Sequence, residues 1–88
     1  MATITKVGHS DAGHGWIAVK LSELKMLGIE SDITNFSYIK GKTAYLEEDQ
    51  DAITFIKAMK AKGIDVSVRQ GPPRERSPIR SFKMYEPS

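Results

Sequence analysis

Apolar and polar positions alternate along several stretches of the chain, and that alternation predicts strands. Thr3–His9 interleaves β-branched and polar residues, as a half-buried strand does. In the next stretch Trp16, Ala18 and Lys20 share one face, with Ile17 and Val19 on the other. Both faces are partly apolar, which suits a strand near the middle of a sheet. Phe36–Ile39 and Thr43–Leu46 form the arms of a hairpin around Lys40-Gly41, where glycine permits positive φ. Ile64, Val66 and Val68 alternate with Asp65, Ser67 and Arg69, again a half-buried strand.

Helical spacing appears elsewhere. Ala52, Phe55, Ile56 and Met59 follow the i, i+3, i+4, i+7 pattern within Ala52–Lys62, ended by Gly63. Asp49 or Asp51 is the expected N-cap. Leu21–Gly28 reads as a shorter helix, with Ser22 as the cap, Leu24 and Leu27 on one face and Gly28 as its left-handed end. The predicted order is β-β-α-β-β-α-β. It implies an α+β fold: one small domain over residues 1–70, with a mainly antiparallel sheet and two helices on one face. Residues 71–88 follow as a basic, proline-containing tail.

Composition narrows the picture. The chain has 88 residues and no cysteine, so disulfides and thiolate zinc sites are excluded. A core this small gains from oligomerisation, and a homodimer is one way to supplement it. No apolar run approaches the roughly 18 residues of a spanning helix, and the N-terminus lacks a secretory pattern. The expected setting is cytoplasmic, with no membrane partner. Residues 1–70 balance nine Lys/Arg with nine Asp/Glu, whereas the tail carries four against two, so the net charge of +2 resides in the tail.

Candidate chemistry is sparse. His9, Asp11 and His14 stand in the glycine-rich loop Gly8–Gly15, a place where imidazoles and a carboxylate can meet a metal or pair as base and orienter. The spacing matches no standard metal motif, and Glu47, Glu48 or Asp49 would have to complete a ligand set. The alternative is a turn in which Asp11 satisfies backbone groups. Trp16 is either a core residue or a partner anchor. The acidic run Glu47–Asp51 precedes a helix, where it suits the dipole, and also offers a surface to a basic partner. Tyr38 and Tyr45 face each other across the hairpin, with Lys40 and Lys42 beside them, as in a miniature nucleic-acid platform.

The tail is less easily explained by folding alone. After Gln70–Pro73, the tail carries Arg74, Arg76 and Arg80 in one stretch with Ile79, Phe82, Met84 and Tyr85. Apolar anchors among arginines either dock back on the domain or engage a partner. No phosphate-binding glycine loop, nucleophile elbow or Ser-His-Asp arrangement occurs, so no catalytic residue, metal or cofactor is expected.

The segments DAGHGWIAVK (11–20), ELKMLGI (23–29), FSYIKGKTAYLEEDQDA (36–52) and SPIRSF (77–82) resemble a family of small proteins carried by bacteriophages, plasmids and other bacterial mobile elements. In that pattern a cysteine often follows the acidic run; Gln50 stands there in this chain, which counts against thiol chemistry. The resemblance implies a non-enzymatic accessory protein that binds and modulates or inhibits a host protein complex, such as defence or transcription machinery. On this reading the partner-binding residues are Arg74, Arg76, Arg80, Phe82 and Tyr85 together with Glu47, Glu48 and Asp49. The body, residues 1–70, is then expected to fold without the tail. The alternative is nucleic-acid binding through Lys40, Lys42, Arg80 and Lys83, and a second alternative is a small metal-dependent enzyme at His9, Asp11 and His14.

Overall fold

A computed structural model describes residues 2–72, 75 and 77–86. The strands and helices run β1 (Ala2–Ser10), β2 (Gly15–Lys20), α1 (Leu21–Leu27), β3 (Tyr38–Lys40), β4 (Thr43–Glu47), α2 (Asp51–Ala61), β5 (Ile64–Gln70) and β6 (Lys83–Met84). They build one sheet in the order β5-β1-β2-β4-β3-β6. All neighbouring pairs are antiparallel except β1 with β5, which is parallel. The fold is thus α+β with a mainly antiparallel sheet, and β2 lies inside it, as the two-sided apolar pattern implies. One strand was not anticipated. It comes from the tail, where β6 pairs antiparallel with β3 at the sheet edge.

Strand register sorts the side chains onto two faces. Ile17 lies opposite Leu46 and Val19 opposite Ala44, so these four share one face. They join Leu24 of α1 and Phe55 and Met59 of α2 in the main core. Ile4, Ile64, Val66 and Val68 pack half-buried at its margin. Burying such side chains supplies the main drive for folding, about 1.5–3 kcal/mol for each fully buried one.

Local chemistry sets the helix ends, partly against expectation. Ser22 does not cap α1; it lies within the helix and is exposed. Glu23 reaches back instead, accepting from the Lys20 N–H at 2.9 Å. Its carboxylate also takes the Lys6 ammonium at 2.6 Å. Burial opposes the charge on Glu23, but the Lys6 and Lys20 hydrogen bonds and the two lysine charges outweigh it and hold the carboxyl below its ordinary value. At the other end Gly28 has φ +70°, with its N–H on the Lys25 carbonyl and the Ile29 N–H on the Leu24 carbonyl. This paired closure needs a residue at home in the left-handed region.

Neither Asp49 nor Asp51 is the N-cap of α2; Gln50 holds that position without a side-chain cap bond. Asp51 is the first helical residue and is fully buried. Its carboxylate accepts from the Thr34 N–H at 3.1 Å, from the Thr34 hydroxyl at 2.8 Å and from the Ser37 hydroxyl. A carboxylate with partners outside its own helix is worth more there than as a cap, because it satisfies a whole connecting segment. The same network shortens the hairpin. Residues 34–37 are held in a turn, so β3 begins at Tyr38 and Phe36 is left outside the strand. Lys40 faces Thr43, with Gly41 at φ +62° opening the two-residue connection.

Candidate functional site

The sheet face away from the helices carries the aromatic residues. Trp16 lies opposite both His9 and Glu47, and Tyr38 opposite Tyr45. A bare face of this kind would expose large apolar surface. The tail covers part of it. Pro78–Ser81 form a 3-10 turn capped by the Ser77 hydroxyl, which accepts from the Ile79 N–H, and Ile79 is buried beneath it. Phe82 rests on Tyr45 with ring centroids 5.2 Å apart, and the Lys40 ammonium lies 4.8 Å from the Phe82 ring. Past β6 the chain turns over the sheet edge. Tyr85 enters the helix-side core at 4% exposure, donating from its N–H to the Ser37 carbonyl at 2.8 Å and from its hydroxyl to the Glu30 carbonyl at 2.7 Å.

Asp11 fastens the tail to the loop between β1 and β2. Its side chain, 1% exposed, receives Arg80 through two nitrogens, Nε at 2.5 Å and the terminal nitrogen at 2.9 Å. The backbone N–H groups of Gly13, His14 and Ser77 donate to the same carboxylate, each at 3.1 Å. The Arg80 bond above all, then the three N–H groups, hold the Asp11 carboxyl far below the usual carboxylate range, against the opposing effect of burial. The same bond raises Arg80. The guanidinium lies 5.7 Å from the Trp16 ring. The glycine-rich loop is therefore built around one satisfied carboxylate.

This arrangement leaves His9, Asp11 and His14 apart in role. His9 packs edge-on to Tyr45 and His14 edge-on to Trp16, while the Asp11 carboxylate accepts from Arg80 and from the N–H groups of Gly13, His14 and Ser77. Among the described residues no group of His, Cys, Asp and Glu converges as a metal site. Glu48 lies over Gly15, where its carboxylate occupies the space a side chain would need, and its N–H bonds the Gly15 carbonyl at 3.0 Å.

A cleft of about 580 Å³ opens beside the tail. Trp16, Phe36 and Tyr38 supply aromatic surface, Glu47 and Asp49 acidic groups, and Arg80 and Met84 line the tail side. Phe36 and Met84 are 64% and 56% exposed, large apolar side chains left in water at its mouth. Glu47 is half-buried and accepts from the Asp49 N–H at 3.0 Å. Since Asp11 neutralises Arg80, the lining has an acidic excess. The Trp16 Nε1–H is buried and without a hydrogen-bond partner among the described residues.

Of the remaining residues named from sequence, Lys42 is exposed in the hairpin turn and Lys83 is exposed on β6, 4.0 Å from Glu86. Arg74 and Arg76 lie outside the described residues. Sequence reasoning missed Phe36 and Met84 as cleft residues. The signal available was Thr34, Ser37 and Asp51, side chains able to bond a backbone turn and so end a strand early. Among the described residues no helix is long and apolar enough to cross a membrane. Comparison of the chain with protein-family models, with curated proteins and with solved structures returns no match.

Proposed function

We propose that this protein is a non-enzymatic binding protein whose acidic, aromatic cleft receives a cationic segment of a protein partner. The observation that carries this reading is the juxtaposition of exposed Phe36 and Met84 with Glu47 and Asp49 around one cleft. A lysine or arginine fits both halves: its methylene stem covers the apolar side chains while its head meets the carboxylates and ring faces. The resemblance to small phage and plasmid proteins supports a partner in the bacterial host, where such a contact would obstruct or modulate a macromolecular complex. The tail then acts by shaping the cleft, with Arg80 engaged by Asp11 rather than offered to the partner.

The test is affinity capture from bacterial lysate with the wild-type chain, Phe36→Ala and Asp49→Asn. Both sites are exposed, so both variants keep the fold. A protein retained by wild type and lost by each variant supports the reading. A partner retained equally by all three overturns it.

A further inference from the structure

The two edges of the sheet are finished differently. The β6 edge is two residues long and exposes Lys83, features that discourage another strand from pairing there. The β5 edge is seven residues long, pairs with β1 in unbroken register from Ile64 to Gln70, and contains no proline and no lysine. Among the described residues no strand pairs with its outer side, which leaves a row of backbone donors and acceptors. Beside that row, Ile64, Val66 and Val68 on the helix face remain half-buried.

We propose that this edge pairs with the same edge of a second copy, β5 against β5 antiparallel about a two-fold axis at Ser67. A two-fold axis perpendicular to the sheet keeps helix face beside helix face, so Val66 faces the other copy's Val68 and Asp65 faces its Arg69, each contact occurring twice. Shifting the axis to Val66 sets Asp65 against Ser67, and shifting it to Val68 sets Arg69 against Ser67. The Ser67 register is the one that opposes charges. Neither Asp65 nor Arg69 has an ion-pair partner within the chain among the described residues. Self-complementarity is what an isologous contact requires, and it favours a second copy over an unrelated strand. The paired sheets run on continuously, the half-buried valines gain cover from each other, and Ile64 lies beside the other copy's Gln70. The cleft lies toward the opposite side of the sheet, on β2, β3 and β4, so this inference is independent of the binding reading.

Sedimentation equilibrium of the full chain tests it. The wild-type chain is expected to be a dimer in equilibrium with monomer. Arg69→Asp places like charges opposite each other twice and is expected to weaken the dimer by about tenfold or more. Asp65→Arg is expected to do the same, and the double exchange Asp65→Arg/Arg69→Asp to restore association. Circular dichroism verifies that each variant is folded; if a single variant unfolds, the folded double variant carries the test. A wild-type chain that stays monomeric, a dimer indifferent to the single charge reversals, or a folded double variant that fails to associate overturns the proposal.

Discussion

Replacing Tyr85 by alanine asks whether the tail is part of the fold or an appendage to it. The ring is buried among helix-side core residues although it comes from the far end of the chain, and its two hydrogen bonds reach Ser37 and Glu30. Truncating a buried aromatic residue costs about 3–5 kcal/mol through lost transfer energy and the cavity left behind. Tyr85→Phe isolates the hydroxyl bond, worth about 1 kcal/mol. Whole domains are stable by only about 5–15 kcal/mol, and a small core falls toward the lower end, so Tyr85→Ala should consume much of the total. Deletion from Gly71 onward removes Ile79 and β6 as well, and the structure predicts loss of cooperative unfolding, opposite to the expectation from sequence that residues 1–70 fold alone. Urea denaturation followed by far-UV circular dichroism reads all three variants. A Tyr85→Ala midpoint implying less than about 1 kcal/mol of destabilisation, or a truncated chain with a wild-type transition, refutes the reasoning.

Asp51→Ala leaves the Thr34 and Ser37 hydroxyls and the Thr34 N–H without their acceptor, and should destabilise the domain by about 3 kcal/mol in the same assay. Asp11 is held below its unfolded value by Arg80, so it contributes stability above the ordinary carboxylate range that is lost as pH falls below that range. Urea midpoints measured from neutral pH downward should therefore decline on acidification, with a shallower decline in Arg80→Gln; equal slopes would contradict the Asp11–Arg80 assignment.

Elements whose pattern repeats along the chain are legible in the sequence. The alternation in β2 grouped Ile17 with Val19 and that in β5 grouped Ile64, Val66 and Val68, and helical spacing grouped Phe55 with Met59; the strand register then set these groups against one core. Gly28 also announced its left-handed conformation. What stayed hidden depends on partners distant in sequence. Nothing near Asp11 indicates that Arg80 will neutralise it, and although the tail's apolar anchors left docking on the domain open, they do not say that Tyr85 passes over the sheet edge into the helix-side core. Phe36 looked like a strand residue because its own β-propensity is high. Its exposure follows from Asp51 binding Thr34 and Ser37, a tertiary contact that overrides local preference. The cleft is made from such non-local contacts, so its residues were named only in part.

The cleft depends on the tail lying across the aromatic face and over the sheet edge, since that placement forms one of its walls. Amide hydrogen exchange of Tyr85 measures it directly, because its N–H bonds the Ser37 carbonyl at 2.8 Å. Protection comparable to that of the β2 and β4 amides is the predicted result. Exchange at the rate of an unstructured peptide, with β2 and β4 still protected, would contradict that placement of the tail.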